Sequence, residues 1–457
     1  MKRGLAIVSV GYFISRVVFY FIGIRFDGLY NLNSYLQFID PPLLTHDLLA
    51  SLYYSSFPPL YNLIVGVMLK IFGESPAAFA VLHLFVGWAI GLVLFALLTD
   101  LGIGPRLAAA ATLLFLIMPP VILYENWMFY TYFETLFFLL AVWSFHRFIQ
   151  RPRVAWGLLL FANATALALL NARMMFYVFI IVFFLWWAWR RGPRPPRLAR
   201  TTALSATPLL LVLAVMAKNC WLFGAFTVDP HFGFHMGNGF IYAAWRDPEI
   251  RALCRKDYPI LLIPPTQFPP AAQLGLDAPA LTGVPLLDAP ARSTGFANYN
   301  SCYYLQVSQM YSSALADFIS AHPLFYARFV HRAFANYWEP ANEYTYFTEK
   351  NRVPLGVYDY LYSAGYPLLL ALYVVGAIYS LSAGWARRWA GGAALTLAFA
   401  LATIAYNMLA IFVTLNENDR YKFTIEPLLW IMVVYALQQI LNSAKRPAPS
   451  IQPVGGN

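Results

Sequence analysis

The chain has 457 residues, of which 60% are hydrophobic and only 11% are charged. A soluble domain carries about 25% charged residues, so the composition excludes a soluble globular protein and indicates an all-α polytopic membrane protein. The formal net charge of +10 does not indicate nucleic-acid binding. The basic residues cluster in short gaps between apolar runs, where the cytoplasmic loops of membrane proteins carry them.

The first apolar segment, Leu5 to Ile24, follows Lys2 and Arg3 and so resembles a signal peptide. It lacks a small-x-small cleavage site, which indicates an uncleaved helix. Because a spanning helix needs about 20 mostly apolar residues, we identify further candidates by the same criterion. Eleven apolar segments result, at about 4–24, 58–73, 76–98, 106–122, 126–148, 155–170, 172–190, 201–222, 357–381, 390–415 and 424–441.

Lysine and arginine set the expected orientation, because basic residues accumulate on the cytoplasmic side. The basic stretches lie at 2–3, 147–153, 190–200, 387–388 and 445–446. The two long connections of mixed charge, 25–57 and 223–356, are then extracytoplasmic. An odd number of crossings must then precede residue 223, whereas eight apolar segments precede it. Either 58–73 or 106–122 is therefore expected not to cross fully. We expect about ten crossings, since broken helices are tolerated where they line a cavity.

The sequence therefore divides into a transmembrane module at 1–222, an extracytoplasmic region at 223–356, C-terminal helices at 357–445 and a disordered tail at 446–457. A connection as long as 223–356 is usually functional or a small domain. Within it, 259–273 reads as irregular. The stretch 313–340 reads as one helix, or as a helix pair broken at Pro323, that lies on the membrane surface.

The three cysteines are too few for a disulfide framework. Cys254 and Cys302 share the region 223–356, so they form one bridge or remain free thiols. No CxxC or His–Cys cluster indicates a metal site, and we expect neither a metal nor another cofactor.

Polar residues collect near the outer ends of the apolar segments. A carboxylate there is able to take a proton from a hydroxyl group, and an arginine matches a phosphate by paired hydrogen bonds. This combination favours a site for an anionic, lipid-linked molecule. The residues concerned are Asp27, Asp40, His46, Asp47, Glu125, Arg173 and those of the stretch 417–422.

Six motifs follow one another along the chain and together resemble the GT-C glycosyltransferases, which include the protein O-mannosyltransferases and the lipid A aminoarabinose transferase. In order, they are "FDGLYN" at 26–31, "SSFPPLYNLIVGVMLKIFG" at 55–73, "YENWMFYTYFE" at 124–134, "NAR" at 171–173, "HPLFYARFVHRAFANYWEP" at 322–340 and "ENDRYKFTIEPLLW" at 417–430. The resemblance implies a GT-C type helical bundle with a long external loop region. The family usually shows two adjacent acids in the first motif, whereas Gly28 follows Asp27 here.

The resemblance implies an inverting transfer of one sugar from a polyprenyl phosphate to an extracytoplasmic hydroxyl of a lipid, glycan or protein. Asp27 is then the general base, with Asp40 or Asp47 as possible contributors and Glu125 as a candidate for acceptor binding. Fixed cations stabilise the leaving phosphate, and the same resemblance gives this role to Arg420, Lys422 and Arg173, with Tyr421 as a hydrogen-bond donor. The active site then faces the outside of the inner membrane, and both termini are cytoplasmic.

Simpler roles exist for each of these residues. In these roles, Asp27 pairs with Arg25, Glu125 caps a helix that starts near Asn126, and Arg173 marks a hinge between two short helices. Arg420 is neutralised by its neighbours Glu417 and Asp419. The histidines His231, His235 and His322 are expected to be structural.

Two other functions remain open: a transporter or flippase of a lipid-linked or anionic solute, and a non-enzymatic subunit of an envelope complex. A transporter places charges in broken helices at mid-membrane, whereas most charges here lie at the outer ends. The sugar, the length of the lipid and the acceptor are not encoded in any pattern that we recognise.

Overall fold

A computed structural model describes residues 2–27, 30–35, 37–191, 195–263, 274–277, 279–343, 349–386, 392–412 and 418–444. In these ranges the regular structure is helical, apart from one isolated bridge between Ala291 and Ala297, which confirms the all-α prediction. The predicted tail, 446–457, lies outside the described residues.

The helices of the first half are α1 (Lys2–Ile22), α2 (Tyr30–Ser34), α3 (Pro41–His46), α4 (Leu48–Tyr54), α5 (Pro59–Phe72), α6 (Pro76–Asp100), α7 (Pro105–Leu116), α8 (Pro119–Glu125), α9 (Thr131–Gln150), α10 (Val154–Leu170), α11 (Tyr177–Arg191), α12 (Pro195–Ser205) and α13 (Leu209–Phe223). Those of the second half are α14 (Phe232–Arg246), α15 (Pro248–Asp257), α16 (Pro285–Asp288), α17 (Cys302–Ala321), α18 (Pro323–Tyr337), α19 (Glu349–Ala386), α20 (Gly392–Phe412) and α21 (Asn418–Ala444). Short 3-10 turns occupy Ala172–Phe176, Pro259–Leu262 and Ala341–Glu343.

Every apolar segment that the sequence predicts contains helix. Six helices are long and apolar enough to cross a membrane, and the number rises to eight if each of two bent pairs is one span. The bent pairs are α7 with α8, at 62°, and Ala199–Ser205 with α13, at 45°. The chain is thus a helical, multi-pass membrane protein.

One of the segments 58–73 and 106–122 is expected not to cross fully, and both differ from a single straight span. Helix α5 has 14 residues, about 21 Å at 1.5 Å per residue, which is shorter than the hydrocarbon core of about 30 Å. Helix α7 ends at Leu116 and α8 begins with Pro119 at its first turn. The residue before a proline avoids the helical conformation, so Pro119 sets the break. Which segments cross fully stays a prediction.

Helix α9 is central to the bundle and packs against α6, α10, α20 and α21, while α1 packs against α6 and α7. A buried ion pair joins α1 to α8, and a tyrosine of α9 donates to it. Arg16 of α1 donates to both carboxylate oxygens of Glu125 at the end of α8, each at 2.8 Å. Tyr12 and Tyr132 donate to the same carboxylate at 2.9 and 2.8 Å.

The surroundings of this ion pair explain a glycine and correct one prediction. A Cβ atom added to Gly87 of α6 would lie 2.3 Å from Glu125 Oε2 and 2.6 Å from the Tyr12 hydroxyl, so only glycine allows this close approach. The sequence offered Glu125 as a cap for a helix near Asn126. That interpretation is wrong, because Glu125 ends α8 and the next helix begins at Thr131.

Part of the region 223–356 forms a second hydrophobic core, in which α14 packs against α15 and α17. The chain breaks between α17 and α18 at His322, immediately before Pro323, as predicted. Of the segment predicted to be irregular, Pro259–Leu262 forms a 3-10 turn and 264–273 lies outside the described residues. All three cysteines are free thiols.

Candidate functional site

A cavity of about 850 Å³ lies where the first loop, the region after α13 and the starts of α9 and α21 meet. Most of its wall is aromatic or aliphatic, and a few polar groups converge on it. Such a combination is typical of ligand sites, in which apolar walls enclose the ligand and a few polar groups fix its orientation.

One end of the cavity is formed by Arg173, Arg420 and Tyr421, which we call the cationic end. Both guanidinium groups donate to the Tyr421 hydroxyl. They also lie against its ring, with Cζ atoms 4.0 Å and 4.3 Å from the ring centroid. Arg420 is only 3% exposed, so its charge is held in a largely dry environment.

Local structure fixes both arginines. Arg173 lies in the 3-10 turn after α10, where Asn171 accepts hydrogen bonds from its backbone N–H at 3.3 Å and from its Nε at 3.2 Å. The hinge predicted at Arg173 is therefore present, and the hinge directs this side chain into the cavity. Arg420 lies in the first turn of α21 and packs over the ring of Phe129 at 4.8 Å.

Helix orientation adds to the positive charge at this end. Helices α9 and α21 pack together, and they start at Thr131 and Asn418, beside Tyr130 and Arg420 of the cavity wall. The N-terminus of a helix carries partial positive charge and unpaired N–H groups. Two arginines beside two helix N-termini form an arrangement suited to an anion.

Glu134, in the first turn of α9, supplies a negative charge next to the cationic end. It is fully buried beside the side chain of Asn171. The charges of Arg173 and Arg420 act on it. When it is ionised, this carboxylate offsets part of the positive charge of the two arginines.

The first loop forms another part of the wall through Tyr30, Ser34, Tyr35 and Gln37. Asn62 of α5 holds this loop, since its side chain donates to Gln37 O at 2.8 Å and accepts from the Ile39 N–H at 2.9 Å. The "PPLYN" motif thus starts α5 with Pro59 at its first turn and places Asn62 against the loop.

The segment before α17 holds the same loop from its other side. Arg292 donates to Tyr35 O at 2.5 Å. Asp40 accepts from the backbone N–H and the hydroxyl of Ser293 at 2.8 and 2.7 Å. Burial lowers the pKa of Arg292 to about 10, although the charge of Asp40 opposes this shift. Asp40 therefore fixes the loop in the structure.

A second polar group is formed by Asp229, His231 and His235, which we call the imidazole end. Asp229 Oδ2 lies 2.8 Å from His235 Nε2, and Oδ1 accepts the His231 N–H at 2.8 Å. His231 Nε2 lies 2.7 Å from Tyr299 O, and its ring stacks on Phe57 at 4.5 Å. Asp229 and His235 line the cavity, while His231 is buried behind them.

The other predicted site residues have different positions. Asp27 is half-buried after α1 and donates its backbone N–H to Asn126 O at 2.8 Å; it is not among the described residues of the cavity wall. Its alternative partner, Arg25, instead donates to Tyr20 O and Ile24 O. Asp47 is exposed and caps α4 by accepting the Ala50 N–H at 3.1 Å.

Lys422 lies apart from the two arginines, although it follows them closely in sequence. It is fully buried, donates to Glu339 O and the Tyr366 hydroxyl, and lies 3.5 Å from Glu426 Oε1. The structure thus brings Arg173, Arg420 and Tyr421 together, as the sequence predicted, and directs Lys422 elsewhere. Of the two neighbours expected to neutralise Arg420, Glu417 lies outside the described residues and Asp419 lies in the first turn of α21.

Sequence reasoning missed two groups at this cavity. Glu134 was visible as the acid that ends "YENWMFYTYFE", but nothing in the sequence linked it to residues 173 and 420. The Asp229–His235 pair was treated as structural, because its two members are six residues apart in a region without a recognised motif. The spacing D-x-H-x-x-x-H at 229–235 was the available signal.

Comparison with known proteins gives few matches. No family model and no curated protein matches the chain. Among solved structures, it is similar to the oligosaccharyltransferase of Archaeoglobus fulgidus tethered to an acceptor peptide containing the NVT sequon, with 14% identity, a TM-score of 0.47 and coverage of 97% of this chain and 50% of that chain. The apo form gives 13% identity, a TM-score of 0.45 and coverage of 97% and 51%. The chain spans about half the length of these solved structures.

Proposed function

We propose that the protein is a membrane glycosyltransferase of the GT-C type that takes one sugar from a polyprenyl-phosphate donor. The observation that supports this proposal is the convergence of Arg173 and Arg420 on Tyr421 at a cavity wall. Buried charges in a membrane protein are costly and usually functional. Planar guanidinium groups match phosphate oxygens in pairs, so the cationic end suits the phosphate of the donor.

A lipid-linked donor also fits the walls of the cavity. Met175 and Phe176, from the candidate span Ala172–Arg190, belong to the lining. Phe176 is 53% exposed, and Phe179 of the same candidate span is 65% exposed. Exposed rings on a membrane helix face lipid, so a polyprenyl chain can remain in the bilayer while its phosphate enters the cavity beside them.

In the proposed reaction, the acceptor oxygen attacks the anomeric carbon from the side opposite the phosphate. The bond from that carbon to the phosphate oxygen breaks, a bond to the acceptor oxygen forms, and the configuration inverts. The electron pair of the broken bond leaves on the phosphate, where the cationic end stabilises it. The hydroxyl proton passes to a carboxylate base, for which Asp27 is the candidate from the sequence.

The proposal includes the location of the site. The basic stretches of the sequence favour cytoplasmic termini, which leaves 25–57 and 223–356 on the extracytoplasmic side. Both connections contribute to the cavity wall. We therefore place the reaction on the outer side of the inner membrane, where a flipped polyprenyl-phosphate sugar is available.

A transporter is supported less well by the structure. Transport folds build their substrate sites from broken membrane helices. Two bent helix pairs occur here, but the described residues of the cavity wall include none from either pair. The polar groups of the cavity lie instead in connections and at helix starts.

The test is release of polyprenyl phosphate by purified protein in lipid nanodiscs, supplied with polyprenyl-phosphate sugars and membrane extract. Arg420→Gln is expected to lower turnover by a factor of about 10² to 10³, as expected for loss of a group that stabilises transition-state charge. Asp27→Asn is expected to lower it by about 10² to 10⁴ while donor binding persists. Arg332→Gln and Asp317→Asn change exposed residues of α18 and α17 and serve as matched controls.

A correctly folded wild-type protein that turns over none of the donors would contradict the enzyme proposal. Normal turnover by Asp27→Asn would remove Asp27 as the base and leave the cationic end to be tested through Arg420→Gln alone.

A further inference from the structure

We propose that the imidazole end of the cavity is the acceptor subsite, and that it binds a neutral saccharide through a hydroxyl group that donates to His235. This inference rests on the proposed function and names the chemical class of its acceptor. It concerns Asp229 and His235, to which the sequence resemblance assigns no role.

Hydrogen bonds hold Asp229 and His235 in fixed positions. Asp229 is 6% exposed and accepts from the His235 ring at 2.8 Å and from the His231 N–H at 2.8 Å. A carboxylate that accepts from two donors in this way has the hydrogen-bonding pattern of the ionised form. Asp229 is therefore an ionised, fixed partner for the imidazole.

An ionised carboxylate selects one tautomer of the neutral ring. Because Nε2 of His235 donates to Asp229, the proton lies on Nε2 and Nδ1 carries a lone pair. Within the described part of the chain, no hydrogen-bond partner of Nδ1 is found. The side chain is 27% exposed and lines the cavity, so Nδ1 is available to accept a hydrogen bond from a ligand hydroxyl.

The distribution of charge in the cavity indicates a neutral acceptor. The cationic end carries two arginines, whereas the imidazole end carries an ionised carboxylate. An anionic group at the imidazole end is repelled by Asp229 and attracted to the cationic end. One cavity thus offers an anion site for the donor phosphate and a separate site for an uncharged hydroxyl compound.

The rings around His235 favour a sugar over a peptide. Phe57, Phe232 and Tyr299 line the cavity. The rings of Phe57 and Tyr299 are buried, whereas Phe232, three residues before His235, is 58% exposed. Aromatic rings supply flat apolar surface, which suits the C–H face of a pyranose while a hydroxyl reaches Nδ1. A peptide brings an N–H and a C=O group with every residue, and each needs a partner when buried.

The first test measures saccharide binding without turnover. Saturation-transfer NMR on the protein in nanodiscs uses the methyl glycosides of mannose, glucose, galactose and arabinose, and a serine-containing and a threonine-containing hexapeptide as rivals. At least one glycoside is expected to bind wild-type protein. His235→Gln keeps a group near Nε2 but removes the acceptor at Nδ1, so it should weaken binding by about threefold to tenfold, the worth of one hydrogen bond. His331→Gln, on the exposed surface of α18, should not.

A second measurement needs no variant. Diethyl pyrocarbonate should modify His235 in wild-type protein, with the exposed His331 and the buried His231 as reference residues in the same mass spectrum. The methyl glycoside that binds should protect His235 and leave His331 reactive.

The outcomes separate this inference from the proposed function. Glycoside binding that is equal in His235→Gln, or absent, or accompanied by no protection of His235, overturns the inference. Binding of a hexapeptide that His235→Gln weakens overturns the saccharide assignment. If His235→Gln transfers sugar poorly but binds polyprenyl phosphate as tightly as wild type does, the inference is supported. A wild type that binds glycoside through His235 and cleaves no donor contradicts the proposed function alone.

Discussion

Arg420 and Arg173 are positive charges in a place where a membrane protein normally has none. Two acids lie near them: Glu134, on which the charges of both arginines act, and Asp419 in the first turn of α21. A buried charge usually requires a partner and complete hydrogen bonding. The convergence of two guanidinium groups on one cavity wall is therefore consistent with the proposed donor phosphate.

Glu134→Gln tests this balance. The substitution removes a negative charge beside the two arginines and keeps the shape of the side chain. It should tighten the binding of polyprenyl phosphate by about tenfold, equivalent to about 1.4 kcal/mol of lost repulsion. The measurement is inhibition of donor cleavage by added polyprenyl phosphate at pH 8. Weaker inhibition than in wild type would show that Glu134 supports the anion site instead of opposing it.

At the scale of residues, the sequence predicted members of the site where a motif surrounded them. "NAR" and "ENDRYK" gave Arg173, Arg420 and Tyr421, which the structure brings together. It did not predict the direction of Lys422, because two residues along a helix turn the side chain to another face. The partnership of Asp229 with His235 depends on a turn whose geometry no motif encodes.

At the scale of elements, one buried ion pair joins α1, α8 and α9. Arg16 and Glu125 lie among apolar helices and satisfy each other together with Tyr12 and Tyr132. Such a pair is strongly destabilising when one partner is removed and close to neutral when both are replaced by apolar residues. Glu125, the first acid of the motif at 124–134, therefore has a structural role in fixing the start of the connection between α8 and α9.

Arg16→Met and Glu125→Met should each lower the free energy of unfolding by about 3 to 5 kcal/mol, because each leaves one buried charge without its partner. The double variant should be less affected than either single variant. Thermal unfolding in detergent, followed by the fluorescence of buried tryptophan, measures all three. Additive losses in the double variant would contradict this role for the pair.

The start of α14 depends on Asp229, which accepts the His231 N–H. Asp229→Asn should lower the stability of the protein by about 2 kcal/mol at pH 7, since hydrogen bonds to a charged group are worth about 1.5 to 3 kcal/mol. The pKa of Asp229 is depressed in the folded protein. Its stabilising effect is therefore fully present above the unfolded pKa of about 4 and is lost as the pH falls further.

The checking measurement compares wild type with Asp229→Asn by chemical denaturation at several pH values. The difference between the two proteins in free energy of unfolding should not decrease between about pH 8 and pH 5. It should decrease below about pH 4. A difference that is already absent at pH 6 would show that the carboxylate is not the stabilising form.

At the scale of the whole molecule, the account requires that the cavity open on the extracytoplasmic side. Cys220, Cys254 and Cys302 are replaced by serine, and single cysteines are introduced at Asp257 of α15 or Ser443 of α21, both of which are exposed. In intact cells a membrane-impermeant maleimide should label the cysteine at 257 and label that at 443 only after permeabilisation. The reverse pattern would place the region 223–356 in the cytoplasm and contradict the proposed donor.

The fold was more predictable than the site. Hydropathy identified every apolar segment that the structure shows as helix, because a bilayer allows few alternatives to a helix. It could not give the packing order, since α9 contacts α6, α10, α20 and α21 through side chains that all read as apolar. The cavity arises from this order and from the way Asn62, Asp40 and Arg292 hold the first loop, neither of which is a local property of the sequence.

The most direct test of the central claim is the affinity for polyprenyl phosphate of wild type, Arg173→Gln, Arg420→Gln and the control Arg332→Gln, measured in nanodiscs of neutral lipid. Each of the two cavity substitutions, Arg173→Gln and Arg420→Gln, should weaken binding by about tenfold to a hundredfold, as expected for loss of a charge-assisted contact of about 1.5 to 3 kcal/mol. Arg332→Gln should bind as wild type does. Equal affinity in all four proteins would contradict the assignment of the cationic end to the donor phosphate.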